Sequence, residues 1–101
     1  MKTVTILGDV DASKADERQL RAALVVQLKR LIVDRKLTQL EAAKIANIQQ
    51  PDLSRLLRGQ SRTMSLGKLL RSITAFGQDV EITVRPRSKD GERGHIAFLA
   101  V

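Results

Sequence analysis

Residues 37–58, with the sequence LTQLEAAKIANIQQPDLSRLLR, determine the fold class of this chain. Within them, Thr38 and Glu41 form a T-x-x-E capping box, in which each side chain satisfies a free backbone N–H in the first turn of a helix. Asn47 follows a run rich in alanine, and asparagine tolerates the left-handed conformation that ends a helix and reverses the chain. The pattern therefore predicts a first helix that ends at Ala46 and a tight turn after it.

A second short helix is predicted directly after this turn. Gln49 or Gln50 caps it, and Pro51 suits its first turn, where a missing N–H costs nothing. Ala43 lets the second helix cross the first closely, and Ile48 fills the turn between them. The buried side of the second helix is formed by Leu53, Leu56 and Leu57. Two helices arranged in this way make a helix-turn-helix, whose second helix fits the major groove of DNA.

The excess positive charge of the chain is concentrated over the same stretch. The 101 residues carry a net charge of +7, and residues 35–77, with eight basic and two acidic side chains, account for +6 of it. A basic surface over a helix-turn-helix is what contact with DNA phosphates requires. The alternative is a basic face that serves only solubility, and the concentration of charge over this pattern disfavours it.

Composition excludes several other classes of function. The chain has no cysteine, so disulfides, thiolate zinc sites and cysteine nucleophiles are excluded. It has two phenylalanines and no tyrosine or tryptophan, which disfavours a surface that stacks single-stranded bases. His95 is the only histidine, and a single histidine in a chain without cysteine disfavours a metal site. We therefore expect no catalytic residue, no metal and no cofactor, and predict that the protein is not an enzyme.

The sequence contains no sign of a membrane or secretion segment. Its longest apolar runs, at residues 22–26 and 96–101, are far short of a bilayer span, and its N-terminus lacks the apolar core of a signal peptide. We therefore expect a cytoplasmic protein with no membrane partner.

Helices and strands flank the helix-turn-helix. Apolar residues at three- and four-residue steps predict a long helix over residues 13–34, and Ser65 begins a further helix that Gly77 ends. Alternating apolar residues predict a strand over residues 79–85 and a short strand over residues 2–7, and residues 95–101, HIAFLAV, look like a further strand.

These elements predict a mainly α fold in a single domain over residues 1–101. Its parts are a helical core at 13–77, a helix-turn-helix at 38–58 and a C-terminal β-hairpin at 79–101. An isolated hairpin is marginally stable in water, so we expect its strands to pack on the helices or to pair with another subunit.

The exposed side of the second helix supplies the candidate DNA contacts. Glutamine can pair with adenine, arginine with guanine, and a carboxylate can accept a hydrogen bond from cytosine. Base contacts are predicted for Gln49, Gln50, Asp52 and Arg55, and phosphate contacts for Gln39, Ser54, Arg58 and Arg62. Three roles stay open for Asp52, which could contact a cytosine, cap the N-terminus of the helix or pair with Arg55.

From residue 37 to Gly77, the chain resembles the Cro/repressor (Xre-type) helix-turn-helix family. Residues 49–59, QQPDLSRLLRG, and residues 65–87, SLGKLLRSITAFGQDVEITVRPR, look more narrowly like its HigA-type antitoxin branch. The resemblance implies a λ-repressor-like core of about five helices, a homodimer, a RelE-like toxin partner and repression of its own operon. It places base contacts on Gln49, Gln50, Asp52 and Arg55, and phosphate contacts on Gln39 and Arg58. The chain departs from the pattern with Asn47 at the turn glycine and with an acidic residue at position 52.

Two functional hypotheses follow. The first is a dimeric repressor and antitoxin, whose subunits join by edge pairing of the strand at 79–85 through Val80, Ile82 and Val84. The N-terminal strand or the long first helix could instead serve the dimer or a toxin. The second hypothesis is a protein-interaction module that docks a toxin or another partner without binding an operator. The +6 segment disfavours the second hypothesis, because a surface that contacts only protein gains nothing from that charge.

Overall fold

The computed structural model describes residues 4–7, 13–60, 64–86, 94 and 96–100. The elements in chain order are β1 (Val4–Leu7), α1 (Ser13–Asp34), α2 (Gln39–Ala46), α3 (Gln50–Leu57), α4 (Leu66–Ala75) and β2 (Ala97–Ala100). The chain divides into two compact units, Leu24–Val80 and Met1–Ala23 with Glu81–Val101. The helix-turn-helix lies within the first unit. The single domain expected over residues 1–101 stays a prediction.

The prediction of a mainly α protein is confirmed. The described residues form four helices, against the core of about five that the resemblance implies, and residues 13–34 make one uninterrupted helix. The long first helix, the two helices of the helix-turn-helix and the helix after Ser65 all lie where the sequence places them.

Local hydrogen bonds fix both ends of α2. Thr38 Oγ1 accepts from the Glu41 backbone N–H at 3.1 Å, and a Glu41 carboxylate oxygen accepts from the Thr38 N–H at 2.9 Å. At the other end, Asn47 has φ 57° and ψ 46°, which is the left-handed conformation. The N–H groups of Asn47 and Ile48 donate to the carbonyls of Lys44 and Ala43 at 3.2 and 3.1 Å. The predicted capping box and the predicted stop at Asn47 are therefore confirmed.

The unit formed by Leu24–Val80 has a continuous apolar core. α2 packs against both α3 and α4, and small side chains on α2, Ala42, Ala43 and Ala46, are buried. The largest fully buried side chains of this unit are Leu24, Leu28, Leu53, Leu56, Leu69, Ser72 and Phe76. Each buried leucine contributes about 1.5–3 kcal/mol relative to an exposed one, so these contacts hold the helix-turn-helix in place.

Arg35 fastens the connection between α1 and α2 to the end of α4. Its guanidinium donates a hydrogen bond to the carbonyl of Phe76, the residue that caps α4. The same guanidinium lies 5.5 Å from the centre of the Phe76 ring. A cation at a helix C-terminus satisfies a free carbonyl and complements the negative end of the helix dipole.

The predicted β-hairpin is wrong in its pairing. A strand forms at Ala97–Ala100 as expected, but it pairs antiparallel with β1, from Val4 opposite Ala100 to Leu7 opposite Ala97. Residues 78–86 belong to no strand. The side chains of Val80, Ile82 and Val84 are 37%, 78% and 92% exposed. An alternating pattern indicates a strand only where a partner strand is present, and the pattern alone does not say which segment that partner is.

Candidate nucleic-acid interface

α3 presents one apolar side to the core and one polar side to solvent. Leu53 and Leu56 are fully buried, which fixes the rotation of the helix about its axis. Gln49 is the N-cap residue, with extended backbone angles and no side-chain capping bond, and Pro51 lies in the first turn. Gln49 and Arg55 are exposed, whereas Gln50, Asp52 and Ser54 are half-buried.

A hydrogen bond between side chains joins the N-terminal ends of the two helices of the helix-turn-helix. Nε2 of Gln50 on α3 donates to Oε1 of Gln39 on α2 at 2.9 Å. Gln50 keeps a second N–H and its carbonyl oxygen, and Gln39 keeps the donors of its amide. The sequence predicted each residue separately and missed the bond between them. The signal that could have found it is the close crossing at Ala43, since both glutamines stand at the starts of the crossing helices.

Asp52 and Arg55 form an ion pair along the exposed side of α3. Oδ1 of Asp52 accepts from an Nη of Arg55 at 2.7 Å, three residues apart on the helix. The two side chains are 40% and 44% exposed, so the pair is open to solvent and to a ligand. Of the three roles left open for Asp52, pairing with Arg55 is the one that the structure displays.

The C-terminal end of α3 is closed by a glycine stop. Gly59 has φ +89°, and the N–H groups of Gly59 and Gln60 donate to the carbonyls of Leu56 and Arg55, both at 3.0 Å. This is a Schellman arrangement, in which a left-handed residue satisfies the last carbonyls of the helix. It leaves Arg58, the exposed C-cap residue, at the edge of the helix-turn-helix. Arg62 lies outside the described residues.

Similarity to known proteins identifies the family. Residues 6–85 match a family model described as "Helix-turn-helix domain". A solved structure named "Putative XRE Family Transcriptional Regulator" resembles this chain with a TM-score of 0.80 and 31% identity. The similarity covers 87% of this chain and 99% of that one. The chain belongs to the XRE-type helix-turn-helix family. No curated protein matches it.

Membership of the XRE family confirms two predictions made from the sequence. The Xre-type resemblance is correct, and the protein is not an enzyme, because this is a family of non-enzymatic DNA-binding proteins. The base and phosphate contacts assigned to individual residues stay predictions. Among the described residues, no group of three or more histidine, aspartate or glutamate side chains is placed to hold a metal ion. The described helices include none long and apolar enough to cross a membrane.

Proposed function

We propose that this XRE protein is a repressor that binds double-stranded DNA in a sequence-specific way through the outer side of α3. One observation carries the proposal. Gln50 and Arg55 stand on that side, and each is held by a hydrogen bond from within the protein, at 2.9 and 2.7 Å. Side chains held in this way lose less conformational freedom when they meet a base edge, which favours specific binding.

The bond between Gln39 and Gln50 suits contact with both a base and a phosphate. One N–H of Gln50 is taken by Gln39, and the other N–H and the carbonyl oxygen match N7 and the N6 amino group of adenine. Gln39 accepts this bond and can still donate its own N–H groups to a phosphate oxygen. We assign Gln50 to an adenine and Gln39 to the adjacent backbone, with Gln49 as a further base contact.

We assign phosphate contacts to Arg58, to the hydroxyl of Ser54 on α3 and, from the sequence alone, to Arg62. Arg58 caps α3 and is exposed, so its guanidinium can meet a phosphate at the edge of the major groove. The +6 charge of residues 35–77 supplies the attraction that is independent of sequence.

The experiment that tests the proposal compares two arginine variants on a selected operator duplex and on random duplex DNA. Arg55→Ala should cost about 1–3 kcal/mol on the operator and reduce discrimination at one base pair. Arg58→Ala should weaken binding to both duplexes alike and lower the slope of log affinity against log salt by about one unit. The measurement is fluorescence anisotropy over a salt series, with selection of the operator from a random library beforehand.

Two outcomes would contradict this assignment. An equal loss on operator and random DNA for Arg55→Ala would mean that Arg55 contacts no base. Affinity that does not change with salt, for the wild-type protein, would favour the second hypothesis of a module that docks proteins without binding an operator.

We also propose that the protein acts as a homodimer, joined by residues 79–85 of two copies. A single helix-turn-helix contacts only a few base pairs, and two copies on half-sites about 34–36 Å apart give useful affinity. The sequence DVEITVR is self-complementary in an antiparallel pairing centred on Ile82, which sets Val80 opposite Val84 and Asp79 opposite Arg85 of the second copy. Pairing of this kind would cover the exposed side chains of Ile82 and Val84.

The antitoxin role belongs to the same proposal and rests on the HigA-like sequence of residues 49–59 and 65–87. A RelE-like toxin is the partner that this resemblance implies, and repression of the shared operon is the expected regulation. A regulator of this kind works where the DNA lies, which gives a cytoplasmic location. The test is whether a basic protein from the neighbouring reading frame purifies with this chain and changes its affinity for the operator.

A further inference from the structure

Asp52 is the one carboxylate on the outer side of α3, which is the side that faces DNA in the proposed function. Residues 35–77 contain two acidic side chains, and the other, Glu41, is bound in the capping box of α2. A carboxylate close to DNA phosphates opposes binding, since like charges repel at short range. Its position on α3 therefore calls for a compensating role.

The geometry of the ion pair indicates what that role is. Asp52 Oδ1 holds one N–H of the Arg55 guanidinium at 2.7 Å. A guanidinium has five N–H donors in a fixed plane, so a single bond to Asp52 orients the plane and leaves donors for the O6 and N7 atoms of a guanine. The pair lies along the helix at a spacing of three residues, so the orienting group moves with α3 as one body.

We propose that Asp52 is a specificity-determining residue that positions Arg55 for one guanine and keeps its guanidinium from binding phosphates. This inference rests on the proposed function, because it needs α3 to meet base edges. Asp52 touches no base in this arrangement and acts through Arg55. Its carboxylate lowers the affinity for any DNA and lowers it least where Arg55 finds a guanine.

The inference predicts that loss of the carboxylate has opposite effects on affinity and on specificity. Asp52→Asn should raise the affinity for random duplex DNA by up to about fivefold, because one repulsive charge near the phosphates is removed. The same change should reduce the preference for guanine at the Arg55 position by about fivefold or more, because the guanidinium is free to reach other acceptors. If Asp52 only stabilised α3, Asp52→Asn would change neither the affinity for random DNA nor the preference for guanine.

The test measures four proteins on four duplexes that differ at the base pair identified by Arg55→Ala. The proteins are the wild type, Asp52→Asn, Arg55→Ala and the double variant, and thermal unfolding confirms that each is folded. In the Arg55→Ala background, Asp52→Asn should leave the base preference unchanged, because there is no guanidinium left to position. A fifth protein, Asp34→Asn, is the matched control, since it removes the same charge from the last residue of α1.

The outcomes separate this inference from the proposed function. Unchanged guanine preference in Asp52→Asn, with normal operator binding by the wild type, would overturn the positioning role and leave the proposed function intact. A change of preference that persists without Arg55 would also overturn it, since Asp52 would then contact a base directly. If the wild type shows no preference among duplexes, the proposed function itself fails.

Discussion

At the scale of single residues, two of the left-handed helix ends in the helical unit are formed by residues other than glycine. Asn47 has a φ value of 57° and directly follows the last residue of α2. Lys36 has a φ value of 54° and lies two residues after the last residue of α1. The N–H groups of Lys36 and Leu37 donate to the carbonyls of Val33 and Ile32, both at 3.0 Å, which closes α1 in the same way as Asn47 closes α2. Asparagine carries a sequence signal for this conformation, whereas lysine carries none.

Lys36 is therefore a position where glycine should stabilise the protein. A side chain at positive φ costs about 1 kcal/mol, and glycine avoids this cost, so we expect Lys36→Gly to raise the free energy of unfolding by about 0.5–1 kcal/mol. Lys44→Gly is the matched control, because Lys44 is an exposed lysine inside α2, where glycine should cost about 1 kcal/mol. Urea unfolding of the three proteins checks this. If both variants lower the midpoint, the backbone of Lys36 is not strained.

At the scale of elements, the capping box makes the stability of α2 depend on pH. The Thr38 backbone N–H holds the Glu41 carboxylate, and this bond lowers the pKa of Glu41 below its ordinary value of 4.5. A carboxyl whose pKa is lower in the folded state stabilises that state above the ordinary value, and this contribution is lost as pH falls through the lowered pKa. Glu41→Gln should therefore lose less stability than the wild type between about pH 5 and pH 3.

The other hydrogen bond of the capping box, from the Glu41 N–H to the Thr38 hydroxyl, gives a second prediction. Thr38→Ala removes the hydroxyl that accepts from the Glu41 N–H and should cost about 0.5–2 kcal/mol at neutral pH. Ser65→Ala removes an equivalent cap from α4, where Ser65 accepts from the Lys68 N–H, and should cost a similar amount. Thermal unfolding at pH 7 measures both. A wild-type melting temperature for Thr38→Ala would show that the Thr38 hydroxyl does not stabilise α2.

These elements also show which features of the fold and of the site can be predicted from the sequence. Helix ends are set by groups within four residues of one another, such as Thr38 with Glu41, and short-range signals are visible in the sequence. The ion pair of Asp52 and Arg55 is local too, and it is one of the three roles that the sequence allows for Asp52. The pairing of β1 with β2 joins residues that are ninety or more positions apart in the chain, and no local pattern specifies a partner at that distance. The bond between Gln39 and Gln50 depends on how two helices cross, which the sequence gives only in outline.

At the scale of the whole molecule, the proposed dimer can be tested by reversing and then exchanging the charges at positions 79 and 85. In the self-pairing of residues 79–85, Asp79 faces Arg85 of the second copy, and symmetry makes this contact twice. Asp79→Arg sets like charges opposite each other and should raise the dimer dissociation constant by about threefold or more. The double variant Asp79→Arg with Arg85→Asp restores opposite charges and should recover the wild-type constant.

Sedimentation equilibrium measures these constants, and operator affinity should follow them, since each half-site needs its own subunit. Asp34→Arg is the control, because it makes the same change of charge on α1 and should leave the constant unchanged. Recovery in the double variant is the decisive result, because a general effect of charge on the protein cannot produce it. If Asp79→Arg leaves the constant unchanged, or if the double variant is no better than the single one, residues 79–85 do not pair in this register and the interface lies elsewhere on the chain.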